Sequence, residues 1–229
     1  MCGRTSLFQP QPEIERRFGG TFEHSFEPRY NIAPNDNLAV IHDAAPETIT
    51  SDQWGFVPEW ADAVDEGPRP INARAETVAE NRLFSTGFEQ RRALVLADGY
   101  YEWAGSRGGK QPYRITVGDD SLFAMAGLWS KWEGNSETLS TVTILTTEPS
   151  EAVASIHDRM PVILDRAVED QWLEAEPDRA LDLVSSYDGD LRTQQISTLV
   201  NDPANDSPAV IDPIGGDYGQ TGLDDYGTN

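Results

Sequence analysis

Short apolar segments that look like β-strands constrain the fold of this chain most strongly. Five of them are rich in β-branched or aromatic residues and are bounded by Gly, Asp or Asn. They cover residues 38–42, 93–97, 113–117, 122–128 and 141–147. Short helices are predicted at 12–18, 75–84, 149–156 and 169–173, and a hairpin-like loop at 105–110. Because strands and helices do not alternate as βαβ units, the pattern predicts an α+β or β-rich domain.

The length of the chain and its apolar runs indicate one soluble domain. The 229 residues suffice for a sizeable core. No apolar run approaches the roughly 20 residues of a membrane span, and no signal peptide follows Met1. From about Asp212 onward Gly, Asp, Tyr and Thr dominate without periodicity. We therefore predict a cytoplasmic protein with one domain over 1–213 and a disordered acidic tail over 214–229.

The net charge restricts the partners of the chain. It is −22 at pH 7, from 17 Lys and Arg against 39 Asp and Glu, and Lys110 and Lys131 are the only lysines. This balance excludes a globally basic nucleic-acid binder and disfavours a protein bound to anionic membranes. Diffuse acidity with few lysines is typical of a salt-saturated cytoplasm, where salt screens self-repulsion. An ordinary acidic protein is the alternative.

The lone cysteine occupies position 2. A single cysteine usually behaves as an inert, buried hydrophobe. Loss of Met1 would instead place an α-amine, with a pKa of about 7.7, and a thiol, with a pKa of about 8.5, on one residue. Such an aminothiol reacts with an aldehyde in two steps, since the amine forms a Schiff base and the sulfur then closes a thiazolidine. A cysteine inside the chain cannot do this.

Three other polar residues stand in apolar surroundings. Asn72 lies among small apolar residues, where it could simply cap a helix. Glu102 follows an apolar strand among aromatic residues, either solvated or with a raised pKa suited to proton transfer. His157 precedes an apolar strand, and a lone histidine is more often structural. Together with Cys2, these residue types suggest nucleophilic chemistry.

Metal binding has little support in the sequence. His24, His42 and His157 lie far apart and show no ligand spacing. One cysteine excludes an internal disulfide and a cysteine-based zinc site. No metal or other cofactor is therefore predicted, and His24 and His42 are interpreted as structural.

Six short blocks in order resemble the SOS response-associated peptidase (SRAP) family, the sensors of abasic sites in single-stranded DNA. The blocks are MCGR at 1–4, PRYNIAP at 28–34, WGFVP at 54–58, INARAET at 71–77, GYYEW at 99–103 and IHDRMP at 156–161. The stretch 200–213 also looks like the end of the family's domain. Each block alone is weak, but six in order are specific.

The resemblance implies a fold and a set of catalytic residues. The fold is a single compact α+β domain around a curved, barrel-like antiparallel sheet with short peripheral helices. Met1 would be removed, and Cys2 would form a thiazolidine crosslink that shields the lesion from strand cleavage. Asn72 would hold the nucleophile and the adduct. Glu102 would handle protons, and His157 would assist sugar-ring opening, protonation and reversal of the crosslink.

The resemblance also implies the DNA contacts. Arg4, Arg74 and Arg159 match positions that contact phosphates beside the lesion. Trp60 and Trp103 match positions of aromatic residues that stack on bases or wedge the strand. The partner would be single-stranded DNA with abasic sites, the replication machinery is a candidate partner, and we expect a monomer. One departure is the acidic loop at 61–67, which puts the role of the neighbouring Trp60 in doubt.

Two other functions remain open. In a peptidase, Cys2 would be the nucleophile and His157 or Glu102 the base, with removal of Met1 by self-cleavage as one form. No oxyanion-hole motif is apparent for that chemistry. In a passive module, the chain would bind single-stranded DNA noncovalently and Cys2 would be incidental. The motif match favours the crosslinking protein, a lyase-like enzyme.

Overall fold

The computed structural model describes residues 2–65, 67–105, 109–119, 121–134 and 137–214. The strands are β1 (Thr5–Leu7), β2 (Thr21–Phe22), β3 (Arg29–Ile32), β4 (Asn37–His42), β5 (Thr48–Trp54), β6 (Asn72–Arg74), β7 (Arg92–Ala97), β8 (Gly99–Ala104), β9 (Gln111–Val117), β10 (Phe123–Glu133), β11 (Thr138–Thr147), β12 (Met160–Pro161), β13 (Ile163–Leu164) and β14 (Leu191–Gln195). The α-helices are α1 (Gln11–Phe18), α2 (Ser85–Gln90), α3 (Glu169–Glu174) and α4 (Pro177–Leu181).

Five strands close into a barrel, in the order β11, β10, β7, β4 and β5. Neighbours are antiparallel except where β5 returns to β11 in parallel, with Trp54 opposite Val142. Gly127 lies where β10 meets β7 closely, since a Cβ there would approach a methyl carbon of Val95 to 2.8 Å. The predicted barrel-like α+β fold is confirmed, with a parallel pair as the closing contact.

A second sheet, in the order β14, β9, β8, β1 and β3, lies beside the barrel. The chain passes from the barrel into this sheet at Asp98, between β7 and β8. The buried carboxylate of Asp98 accepts hydrogen bonds from Ser6 Oγ at 2.6 Å and from the amide of Phe8 at 2.6 Å. These bonds fix β1 against β8 and so position the N-terminal residues.

Most of the predicted helices and strands are present in the structure. All five predicted strands are present, and α1 and α3 match two predicted helices. The helix at 75–84 is wrong, because a 3₁₀ turn at Ala75–Thr77 is followed by further turns. There the side-chain oxygen of Asn81 accepts a bond from the amide of Leu83 at 3.0 Å, which competes with helical bonding. The predicted helix at 149–156 is also wrong, because residues 151–156 form turns and residues 149 and 150 belong to no helix.

Some predictions fall partly outside the described residues. β8 and β9 pair antiparallel around the predicted hairpin loop, but residues 106–108 are not among those described. Residues 215–229 also lie outside them, so the division into 1–213 and 214–229 stays a prediction. None of the helices in the described ranges is long and apolar enough to cross a membrane.

Candidate active site

Asn72 directs its side chain at the N-terminal residues. It is the first residue of β6, which pairs with β11. Its Nδ2 donates to the carbonyl oxygen of Cys2 at 2.8 Å and to that of Ile71 at 2.7 Å. Its Oδ1 is buried and accepts no hydrogen bond from the residues that the structure describes. Asn72 does not cap a helix, since Arg74 precedes the 3₁₀ turn.

Glu102 and His157 are far apart in the sequence, but their side chains face each other in the structure. Glu102 lies on β8, next to β1, and its side chain is only 5% exposed. Its Oε2 is 4.0 Å from Nε2 of His157, which follows the turns after β11. Burial raises the pKa of Glu102 to about 7 and lowers the pKa of His157. At neutral pH Glu102 therefore populates both its acid and its base form.

Cys2 is fully buried just before β1. Burial raises the pKa of its thiol well above the ordinary value, and the negative charge of Glu102 raises it further. The thiol is therefore neutral at pH 7. Any attack by the sulfur needs a group that removes its proton, and Glu102 is close enough to influence its charge.

An open cleft of about 510 Å³ reaches Glu102 and His157. Its lining comprises Glu102, Trp103, Lys110, His157 and Asn201. The indole Nε1 of Trp103 donates to Oδ1 of Asn201 at 2.7 Å, so the C-terminal segment forms one wall. A larger groove of about 870 Å³ lies between α1 and β13 and contains none of the predicted site residues.

Two of the three predicted phosphate-binding arginines are engaged inside the protein. Arg4 is buried, and its Nη1 donates to Oδ1 of Asn31 at 2.7 Å and to the carbonyl of Val200. Its guanidinium also lies 5.8 Å from the ring centre of Trp103. Arg4 thus joins β1 to the wall of the cleft, and a phosphate contact by Arg4 stays a prediction.

Arg159 is held by a bidentate ion pair. Its Nη1 and Nη2 lie 2.6 and 2.9 Å from the carboxylate oxygens of Glu76. Nη2 also donates to the carbonyl of Thr146. The ion pair fastens the segment that carries His157 to the 3₁₀ turn after β6, and the bond to Thr146 fastens it to the end of β11. Arg74, by contrast, is exposed on β6.

The two predicted stacking residues lie in different places. Trp103 lines the cleft, whereas Trp60 is 71% exposed and lines a separate pocket with Pro58 and Leu83. Within the acidic loop that follows Trp60, Glu66 is not among the described residues. The structure therefore brings Trp103 to the candidate catalytic residues but not Trp60.

Sequence reasoning missed three residues at this site. Lys110 and Asn201 line the cleft, and Glu76 holds Arg159. The scarcity of lysine could have drawn attention to Lys110. Asn201 and Glu76 lay inside blocks that resemble the family, but no chemical pattern set them apart.

No metal site emerges in the described part of the chain. None of its His, Cys, Asp and Glu residues form a group of three that could hold an ion. His42 instead pairs with Asp52, with 2.7 Å between Nε2 and Oδ2, and stacks on Trp129. These contacts agree with a structural role for His42.

Solved structures share this fold. A protein of Bacteroides thetaiotaomicron superposes with a TM-score of 0.85 over 93% of this chain and all of its own, at 23% identity. A protein of Bordetella bronchiseptica gives a TM-score of 0.75 over 86% of this chain and all of its own, at 22% identity. At these identities the likeness establishes the fold alone.

Relatives with higher sequence identity than these solved structures also match this chain. The chain is 41% identical to the abasic site processing protein YoqW of Bacillus subtilis, over 93% of this chain and 99% of that protein. It is 31% identical to the abasic site processing protein HMCES of Xenopus tropicalis, over 93% of this chain and 78% of that protein. The model of the family described as SOS response associated peptidase (SRAP) matches residues 1–203. This chain therefore belongs to the SRAP family.

Proposed function

We propose that this protein recognises abasic sites in single-stranded DNA and captures them as a thiazolidine through Cys2. The relatives named abasic site processing proteins support the choice of lesion. The observation that carries the proposal is a chain of contacts around Cys2. Asn72 bonds to the carbonyl of Cys2, the charge of Glu102 acts on the Cys2 thiol, and Glu102 lies 4.0 Å from His157 at an open cleft.

The first step is attack by the α-amine of Cys2 on the aldehyde of the ring-opened abasic sugar. Met1 must be removed to free this amine. The hydrogen bond from Asn72 Nδ2 to the carbonyl of Cys2 fixes the residue's backbone and so the direction of the amine. His157, at the rim, assists opening of the sugar ring.

Glu102 then transfers protons in both directions. The protonated carboxyl donates to the hydroxyl of the carbinolamine, water leaves, and an iminium forms. The Cys2 sulfur adds to the iminium carbon, and the carboxylate takes the thiol proton. One water is released in total, and Glu102 returns to its starting form. A pKa of about 7 suits a group that must act as acid and then as base.

DNA would be held by charge and stacking around the cleft. Trp103 is placed to stack on a base next to the lesion, which contributes about 1–3 kcal/mol. Arg74 offers an exposed guanidinium, and Arg4 and Arg159 support the walls. Trp60 would contact the DNA strand at a point farther from the cleft. A single strand can present the lesion without the unpairing cost of a duplex.

The acidic composition adds a proposal about salt. Phosphate affinity on single strands falls by roughly 0.7 log units per contact for each tenfold rise in salt. If the chain works in molar salt, a few phosphate contacts bring little net affinity. We therefore propose that stacking and covalent capture dominate. A high affinity for intact single strands that depends steeply on salt in molar KCl would contradict this.

A peptidase remains the second candidate because of the family's description. Its nucleophile would be the Cys2 sulfur, and because burial raises the pKa of this thiol, His157 or Glu102 would have to act as its base. Retention of Met1 in Glu102→Ala or His157→Ala protein, seen by intact-mass analysis, would support self-cleavage. The replication partner, the monomeric state and the cytoplasmic location stay predictions.

The test of the function uses a single-stranded oligonucleotide with one abasic site in molar KCl. A denaturing gel compares it with intact DNA, for the wild-type protein and Cys2→Ala. We expect a heat-resistant band that needs both the lesion and Cys2, with Met1 absent from its mass. A folded protein that gives no band and binds both strands equally would instead be a passive binder.

Replacement of Asn72 by Asp is expected to slow crosslinking by about 10- to 100-fold. The carboxylate would place negative charge against the carbonyl oxygens of Cys2 and Ile71, where the amide now donates. Single-turnover rates at saturating DNA measure the effect. Asn81→Asp, in a turn away from the cleft, is the matched control, and equal rates in both variants would remove Asn72 from the mechanism.

A further inference from the structure

We propose that Lys110 binds a DNA phosphate at the rim of the cleft, which would make it a specific phosphate contact of this site. The inference rests on the proposed function. Lys110 is exposed and lines the cleft together with Glu102 and His157. It is one of only two lysines in a chain of net charge −22.

Two of the other predicted phosphate-binding cations are less accessible than Lys110, whereas Arg74 is exposed on β6 and does not line the cleft. Arg4 is buried and bonded to Asn31, and Arg159 is paired with Glu76. Within the described ranges, Lys110 has no carboxylate partner within 4.0 Å. Its ammonium therefore has donors available for a ligand, as a mobile point charge on a flexible stem.

The position of Lys110 fits the path of a nucleic-acid strand. A sugar that reaches Cys2 through the cleft carries a phosphate on each side, so a phosphate must lie at the rim. There the buried Glu102 would repel it whenever the carboxyl is ionised. The charge of Lys110 acts on both Glu102 and His157, so it is placed to offset that repulsion.

The experiment compares Lys110→Gln with Lys131→Gln. Lys131 lies exposed on β10 beside Glu133, with 3.1 Å between Nζ and Oε1, and does not line the cleft. The probe is a fluorescent single-stranded oligonucleotide with one tetrahydrofuran residue, which has no aldehyde. Anisotropy gives Kd between 0.2 and 1 M KCl, with circular dichroism confirming the fold of each protein.

We expect Lys110→Gln to reduce the slope of log Kd against log salt by about 0.7. Lys131→Gln should keep the wild-type slope, and Lys110→Arg should restore it. A wild-type slope in Lys110→Gln, or equal losses in both glutamine variants, would overturn the proposal. Because the probe cannot crosslink, failure of covalent capture on true abasic DNA would leave this result intact and is therefore distinguishable.

Discussion

Cys2→Ser protein is expected to lose the heat-stable crosslink yet still form an imine that cyanoborohydride can trap. Without reductant, the yield of stable product should fall by at least about a hundredfold, because a hydroxyl is a far weaker nucleophile than a thiol. With reductant, a covalent product should return. Denaturing gels of the abasic oligonucleotide, with and without reductant, measure both yields.

The structure supports this separation of the two nucleophiles. Asn72 binds the backbone carbonyl of Cys2 and not its sulfur, so the amine should stay in place after the substitution. The side chain lies in a fully buried position that the slightly smaller serine can enter. The amine step and the sulfur step thus become separately measurable.

Two further proteins make the result decisive. Cys2→Ala also retains the amine and should be trapped by reductant, whereas protein with an uncleavable residue before Cys2 should yield neither product. Stable crosslinks at the wild-type level in Cys2→Ser would contradict a thiazolidine. Absence of trapped product in both the Ser and Ala variants would place the first attack on another group.

The strands could be predicted because their signal is local. Residues 93–97 and 141–147 are apolar, β-branched runs, and they form β7 and the end of β11. The turns at 75–84 were not predicted, because their composition suits a helix, whereas in the structure the Asn81 side chain accepts a bond from the amide of Leu83 that competes with helical bonding. The parallel contact that closes the barrel joins β5 to β11, far apart in sequence.

The residue types of the site were visible in the sequence, but their assembly was not. Cys2, Asn72, Glu102 and His157 come from four distant segments. The pairings of β1 with β8 and of β6 with β11 position the first three, and His157 follows the turns after β11. The resemblance supplied the set as a whole. It could not show that Arg159 is paired with Glu76, since that contact depends on how the segment after β11 folds back.

Glu102→Gln is expected to reduce the crosslinking rate by about 10²- to 10⁴-fold at pH 7. Glutamine is similar in shape but cannot give or take a proton. In the wild type, the α-amine must be neutral to attack the aldehyde, and Glu102 must be protonated for the carbinolamine to lose water. Deprotonation of the amine should raise the rate as the pH approaches the amine pKa of about 7.7. Deprotonation of Glu102 should lower the rate above its pKa of about 7, so the pH–rate profile should be bell-shaped.

The glutamine variant should lose the alkaline limb of this bell and keep the acidic one. Single-turnover rates at saturating DNA from pH 5.5 to 9 measure the profile. A falling alkaline limb that survives in Glu102→Gln would assign that limb to another group. An unchanged rate at pH 7 would remove Glu102 from the proton transfers.

The same substitution should stabilise the protein at alkaline pH. The folded state raises the Glu102 pKa to about 7, above that of the unfolded chain. The stability associated with this carboxyl is therefore complete at low pH and is lost as pH rises through 7. Glu102→Gln avoids the loss, so its free energy of unfolding should exceed the wild-type value by about 3 kcal/mol at pH 9. Urea denaturation at pH 6 and 9 measures this.

Glu76 gives a control of opposite sign. Its hydrogen bonds to Arg159 lower its pKa, so its contribution to stability is present at neutral and alkaline pH and is lost in acid. Glu76→Gln should therefore not stabilise the protein at pH 9. A carboxyl kept for structure would cost stability when replaced. Replacement of a carboxyl that serves proton transfer should lower the crosslinking rate and raise the free energy of unfolding. Of these two variants, only Glu102→Gln is expected to do both.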